Sequence, residues 1–459
     1  MGYQSPQFRR KAQLVITTAA TLLLFILILK KHIKHVEHPS PNDRVSGGSL
    51  PEQSSLPSAL SPNSTSCRDL PGADSVLVIL KTGATEAHAK LPIHFNTTFR
   101  CTPHYAIYSD LDEEILGHAV HDTLSAVPAS ARAADPDAFS FYDLLHAWHR
   151  SGIDLGTLSS SSTFIHDAAW GLDKWKFLPL AQHALAAAPP QTRWIVFAEA
   201  DTALVWSNVL RWLARLDAGR AWYLGGPAWL DGAAFAHGGS GYVLSRPALE
   251  ALVAALDAEP ERFVEMTAEA WAGDYVLARA LEGVGVALTP AWPMLQGETP
   301  YTVDYTAEHW CYPVVSWHHM PKEWVAAVWA FEREWLEGGR GPIRHLDVFE
   351  RFVAGLVRVS ERANWDNLSP DGLSVEEWPE GVKSARECRR VCEEEMEDCV
   401  QWLFVVDGTC RTGTAVRLGE AVEEVDGEGV WITSGWVVER IDKFVKDMEG
   451  CRRGDWIVG

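Results

Sequence analysis

The sequence is short of positive charge: 40 Lys and Arg stand against 61 Asp and Glu, a formal net charge of −21 over 459 residues. A protein that wraps nucleic acid needs a basic face, so nucleic acid is excluded as a partner. Anionic ligands stay open, because one metal ion or a few local cations reverse the sign inside a cleft. No internal repeat is evident. The chain also lacks an H-E-x-x-H helix and a paired-metal cluster, which speaks against a metal-dependent hydrolase. Cysteine is absent before residue 67, and all eight Cys follow it. What is abundant is apolar content, 47%, enough for a sizeable core and too much for a mainly disordered chain. Trp is frequent, at 21 residues. Flat aromatic faces suit sugar rings as well as cores.

Residues 12–29 (AQLVITTAATLLLFILIL) carry no charge and span about 27 Å as a helix, close to bilayer thickness. Arg9, Arg10 and Lys11 precede the run and Lys30, Lys31 and Lys34 follow it, so flanking charge alone does not orient it. No A-x-A-like site closes the run, which favours an uncleaved anchor over a signal peptide. N-x-S/T sequons at Asn63, Asn96 and Asn367, with the Cys content, place the following residues in an oxidising lumen. The expected order is a cytosolic tail at 1–11, a transmembrane anchor at 12–29 and a stem at 30–73, rich in Pro, Ser and Gly between 35 and 66.

From residue 74 strands and helices alternate. Ser75–Leu80, His104–Ser109 and Trp194–Ala198 read as buried strands; Trp222–Leu224, Tyr242–Leu244 and Gly285–Leu288 read as shorter ones. Phe139–Arg150, Lys174–Ala187, Asn208–Leu216, Pro247–Leu256 and Tyr275–Leu281 read as helices. The alternation predicts an α/β domain over 74–345 with a mainly parallel sheet, whose ligands sit beyond the carboxyl ends of the strands. Residues 346–375 are expected to be an irregular linker. Over 376–459, the spacing C-x3-C-x6-C-x10-C from Cys388 to Cys410 predicts a small disulfide-stapled module, zinc being the competing explanation.

Candidate chemistry begins at Glu199-Ala200-Asp201, after the Trp194–Ala198 strand. Alone, this triplet is either a solvated loop with an Asp cap or a pair of carboxylates on one side of a strand end. Carboxylates repel a diphosphate, so they serve a nucleotide only by gripping a cation the phosphates share, with Mn²⁺ or Mg²⁺ the suited ions. Gly238-Gly239-Ser240-Gly241 is either a tight turn or a place where backbone approaches a ligand. Asp274 opens a helix as an N-cap or serves as a general base. His318 and His319 are a surface pair, or one of them completes a carboxylate metal site and favours Mn²⁺.

In order and spacing, Trp194–Asp201, Gly238–Leu252, Gly273–Asp274 with Leu281, and Cys311 through Met320 resemble the fringe and core 1 β1,3-galactosyltransferase family, family 31 of the glycosyltransferases. Leu80–Cys101 is similar to the N-terminal part of its fungal branch. The resemblance implies a glycosyltransferase A fold (Rossmann-like, mainly parallel sheet) and inverting, Mn²⁺-dependent transfer of a hexose. Galactose in β1,3 linkage is the first expectation, from a UDP-sugar donor to a glycan or O-linked N-acetylgalactosamine on a glycoprotein acceptor. It implies a single-pass type II protein of the Golgi membrane, catalytic domain luminal. Carried over, Asp201 and His318 are the metal ligands and Asp274 the catalytic base. Lys81, Thr82, Glu199, Gly239 and Gly241 lie around the nucleotide sugar. Glu199 replaces the family's Asp, and Gly273 replaces an acidic residue common before the base. These departures support an alternative, a catalytically inactive carbohydrate-binding or scaffold protein on the same fold. The Cys spacing near the C-terminus resembles the PAN/apple group, which implies a protein- or carbohydrate-binding role.

Overall fold

A computed structural model describes residues 67–158, 163–373, 381–422, 431–451 and 456–458. The anchor expected at 12–29 and most of the stem, Asn63 included, lie outside the described residues. Among the described residues no helix is long and apolar enough to cross a membrane.

The central sheet follows from strands whose side chains are apolar on both faces. Strand β1 (Val76–Lys81) is buried along its whole length. Its Val76, Val78 and Leu80 enter one core cluster, while Leu77 and Ile79 enter another on the opposite face. Strand β5 (Trp194–Glu199) divides in the same way, with Trp194, Val196 and Ala198 on the first face and Ile195 and Phe197 on the second. This is the period-2 signature of a strand sandwiched between helical layers. Each fully buried Val, Leu or Ile contributes on the order of 1.5–3 kcal/mol, so the paired clusters dominate the stability of this region.

The remaining strands of the domain are β2 (His104–Ser109), β3 (Glu113–Ile115), β4 (His118–Asp122), β6 (Ala203–Leu204), β7 (Tyr223–Gly225), β8 (Pro227–Leu230), β9 (Ala233–Ala236), β10 (Tyr242–Ser245), β11 (Leu288–Pro290) and β12 (Ser316–Trp317). Six of them join β1 and β5 in one eight-stranded sheet, in the order β11-β7-β10-β5-β1-β2-β4-β3. The β1, β2, β4 and β5 pairings are parallel, as is β7 with β11, whereas β10 runs antiparallel to both β5 and β7, and β3 to β4. The chain is therefore a mixed α/β protein with a large, mostly parallel central sheet. Helices α1 (Ala87–Asn96), α2 (Pro136–Arg150), α3 (Thr163–Asp173), α4 (Phe177–Ala187), α5 (Trp206–Leu213), α6 (Arg246–Ala258), α7 (Pro260–Glu269), α8 (Gly273–Gly283) and α9 (Lys322–Glu337) surround it. Residues of α4, α6 and α8 fill one face of the sheet and residues of α1 and α5 the other.

Three expectations change. The strand expected at Gly285–Leu288 begins only at Leu288, because Gly285 takes a left-handed φ of 80° just past the end of α8 and Val286 tucks into the core. Residues 346–375 are not irregular: they carry most of the helix His345–Phe352, the turn Ala354–Val357 and strands β13 (Glu361–Ala363), β14 (Trp365–Asp366) and β15 (Asp371–Gly372). With β16 (Gln401–Val405), β17 (Cys410–Gly413) and β19 (Ile432–Trp436), strands β13 and β15 build a second, antiparallel sheet; β14 pairs separately with β18 (Glu420–Ala421). Finally, Asn367 is no glycan acceptor: it is fully buried, and its amide donates to the carbonyls of Trp402 and Gly435. Asn96, by contrast, is exposed at the end of α1.

All eight Cys are joined, as Cys67–Cys101, Cys311–Cys451, Cys388–Cys410 and Cys392–Cys399. The last two close the Cys-rich segment, so its sulfurs are paired with one another and not gathered around zinc.

Candidate active site

Strands β1 and β5 are adjacent and parallel, and Lys81 and Glu199 are register partners at their carboxyl ends. Anything following these strands therefore faces the same edge of the sheet. The chain turns after β5 at Ala200-Asp201, and two contacts fix that turn. His94 on α1 lies 2.7 Å through Nε2 from the Ala200 carbonyl; burial keeps this ring below its ordinary pKa, against the Ala200 hydrogen bond and the Asp201 charge. A neutral imidazole is the state that donates one N–H and accepts at the other nitrogen. Thr202 accepts from the Glu199 amide and donates to the Gly239 carbonyl at 2.8 Å.

The metal-ligand candidates meet. His318 Nε2 lies 3.3 Å from Asp201 Oδ1. The pairing of β12 with β6, which sets Trp317 opposite Ala203, carries His318 to this position across a long stretch of sequence. The Met320 amide donates to the Asp201 carbonyl and locks the same junction. One ring nitrogen of His319 joins the pair, so that three ligand atoms lie within 4.8 Å of one another. On its second oxygen Asp201 holds Lys90 at 3.0 Å, and Lys90 also contacts Glu86. Burial pushes the Asp201 carboxyl up, but the His318 hydrogen bond and the Lys90 charge overcome it and hold the group well below the usual carboxylate range. Asp201 is thus ionised, as a metal ligand must be.

The glycine run joins the other candidates to this pair. Gly239 lies against the His318 ring so closely that a methyl group there would sit 2.1 Å from Cε1. Gly238 donates its N–H to Asp274 Oδ2 at 2.9 Å, and a methyl on Gly238 would lie 3.2 Å from Glu199 Oε1. Gly241 turns the run back into β10 with a left-handed φ of 77°. One short loop therefore touches His318, Glu199 and Asp274 at once. Asp274 is half-buried at the start of α8, and burial pushes its carboxyl up despite the Gly238 N–H.

Gly273, where the resemblance leads one to expect an acidic residue, is packed out. A methyl there would lie 2.3 Å from the Phe177 ring and 2.8 Å from the Lys174 backbone. No side chain fits there without moving the Lys174 backbone or the Phe177 ring.

Lys81 and Thr82 are at the same edge, but their polar atoms are engaged. The Lys81 ammonium pairs with Asp173 and, at 3.1 Å, with Glu199, and it stands 4.4 Å over the Phe177 ring. Asp173 also meets Lys176 at 3.4 Å, and Lys176 meets the buried Asp110 at 2.8 Å and the Thr82 carbonyl at 2.9 Å. The result is an alternating chain of charges, Asp110–Lys176–Asp173–Lys81–Glu199, across the carboxyl ends of three neighbouring strands. Sequence reasoning did not find Asp110, Asp173, Lys176, Lys90 or His94. Lys90 stands one turn after Glu86, a spacing that signals an ion pair only once Ala87–Asn96 is known to be helical.

The Asp201–His318 pair fits a divalent cation. The donors are a hard carboxylate and an imidazole, a set suited to Mn²⁺. The buried His318 Nδ1 has no hydrogen-bond partner among the described residues, and the ring meets Asp201 through Nε2, the nitrogen left to face a cation. Compared with known proteins, the chain matches no family model and no curated protein.

Proposed function

We propose that this protein is an inverting, divalent-metal-dependent glycosyltransferase of the glycosyltransferase A type, which moves a hexose from a UDP-sugar to an acceptor hydroxyl. The observation that carries the reading is the Gly238–Gly241 loop, which links an Asp–His pair suited to a cation with a half-buried carboxylate beyond the carboxyl ends of a mostly parallel sheet. The sheet supports it too, since one reversed strand, β10, leads directly out of that loop. The four disulfides support a luminal setting, and the motif order supports galactose in β1,3 linkage to an O-linked N-acetylgalactosamine or other glycan.

Asp201 and His318 would hold Mn²⁺, with His319 at hand as a third donor. Bound there, the cation supplies positive charge against which a diphosphate leaves. Asp274 accepts the proton of the acceptor hydroxyl as that oxygen bonds to the anomeric carbon. The bond from the anomeric carbon to the diphosphate breaks, and its electron pair departs with the nucleotide. Attack and departure occupy opposite faces, so a single displacement inverts the centre. Gly238 orients Asp274 through its N–H, and Lys81 holds Glu199 in place beside the loop.

A panel of UDP-sugars with Mn²⁺, scored for donor hydrolysis and for transfer to glycoside acceptors, tests the reading. Asp274→Asn is expected to lower transfer about 10²–10⁴-fold while donor binding persists. Asp201→Ala is expected to lose Mn²⁺ binding by electron paramagnetic resonance. Wild-type protein that neither binds nor hydrolyses any UDP-sugar would sink the transferase reading and leave the scaffold alternative.

A further inference from the structure

Two tryptophans lie exposed where aromatic surface is costly to leave in water. Trp170 is 45% exposed and Trp271 64% exposed, and their ring centroids are 4.6 Å apart with planes inclined at 55°. Single exposed aromatics are ordinary, whereas contiguous exposed apolar surface is what marks an interaction site.

Along the chain, Trp271 stands close before the candidate base. Trp271 precedes Gly273-Asp274 at the mouth of α8, and Trp170 lies one turn before the end of α3, which leads into Lys174. The two chain segments meet where Gly273 packs on the Lys174 backbone and the Phe177 ring. Lys174 fixes that seam: its ammonium donates to the carbonyls of Ala268 and Ala270 at 3.3 and 3.4 Å and pairs with Asp135 at 3.1 Å. Trp175 also donates to Asp135 at 3.0 Å. The loop carrying Trp271 is therefore tied to the helix end carrying Trp170, and both are set before any ligand arrives. A preorganised surface loses little freedom on binding.

We propose that Trp170 and Trp271 form a platform for the acceptor, stacking on the C–H face of a neutral pyranose and presenting its hydroxyl toward Asp274. The inclined planes make a notch, which suits a puckered ring better than a flat base. Continuity with Asp274 selects an acceptor sugar over a protein partner. The function of the platform rests on the transferase reading, although sugar binding itself does not.

The test uses the whole protein without donor or metal. Saturation-transfer difference NMR is run with methyl glycosides of galactose, N-acetylgalactosamine, N-acetylglucosamine and mannose. At least one glycoside is expected to give a signal that Trp170→Ala/Trp271→Ala removes and Trp170→Phe/Trp271→Phe retains. In the transfer assay the double Ala variant is expected to raise the acceptor KM about tenfold, equivalent to about 1.4 kcal/mol, with donor hydrolysis unchanged. Because both side chains are exposed, the melting curve should not move. No signal from any of the four glycosides, or one indifferent to both tryptophans, overturns the platform. So does a wild-type dimer that the double Ala variant dissolves, since the pair would then be a subunit contact. Tryptophan-dependent glycoside binding by a protein that neither binds nor hydrolyses any UDP-sugar overturns the transferase reading and leaves the platform standing.

Discussion

Asp274 shows how function and stability oppose each other at one residue. Burial raises its carboxyl above the usual range, with the Gly238 N–H working in the other direction. A carboxyl whose folded pKa exceeds its unfolded value adds stability below the unfolded value and loses it as pH rises through the folded one. At neutral pH the ionised group therefore destabilises the fold, while its raised basicity favours proton abstraction. Asp274→Asn keeps an acceptor for Gly238 and removes the charge. It is expected to raise the thermal midpoint at pH 7 and to match wild type once the pH falls below the ordinary carboxyl range. Melting curves at the two pH values check this; equal midpoints at pH 7 would show that the charge is well solvated.

Among the elements, α5 has the most direct hold on the site, because it follows the Asp201 turn and β6. Its first N–H groups cannot bond within the helix. The carboxylate of Glu332, on α9, accepts from Ser207 N at 2.6 Å and from Trp206 N at 3.3 Å. Glu332 is itself buried, and burial raises its carboxyl against those bonds. Asn208 then donates to the carbonyls of Val314 and Ile343, each at 2.7 Å, beside the strand that leads to His318. Glu332→Ala strands two buried donors and is expected to cost roughly 3 kcal/mol, read as a lower urea midpoint. Glu332→Gln retains an acceptor and is expected to recover part of the loss. Much of this scale was legible beforehand. The expected strand at His104–Ser109 matches the observed one residue for residue, since β-branched and aromatic runs bounded by turns leave few choices. Helix α1 was not foreseen, because Pro92 lies inside it and the helix survives one lost hydrogen bond through its tertiary contacts.

At the scale of the molecule, the chain end returns to the domain that holds the site. Cys451 is bonded to Cys311, and Trp212 Nε1 donates to the Ile457 carbonyl at 2.6 Å. One core cluster runs from Ala203 and Trp317 through Val416 and Trp436 to Ile441. The Cys-rich segment thus shares a core with the residues around Asp201 and His318. Cys311 and Cys451 are 140 residues apart, and removing a link across so long a loop is expected to cost about 2–5 kcal/mol through the unfolded chain. Cys311→Ser/Cys451→Ser should lower the calorimetric midpoint while keeping one transition. Two separated transitions would show that the segments fold independently.

The sequence by itself determined the long central strands such as β1, β2 and β5, the alternation that makes an α/β sheet, and the kinds of donor present at Asp201, Asp274 and His318. Those follow from local periodicity and from side-chain chemistry, which need no partner. Only the tertiary structure decided that Gly239 touches His318, that Gly273 has no room for an acid, that Asn367 is enclosed, and that Lys81 faces two carboxylates. Each is a contact between segments distant along the chain. Packing decides such contacts, and packing is a property of three-dimensional neighbours.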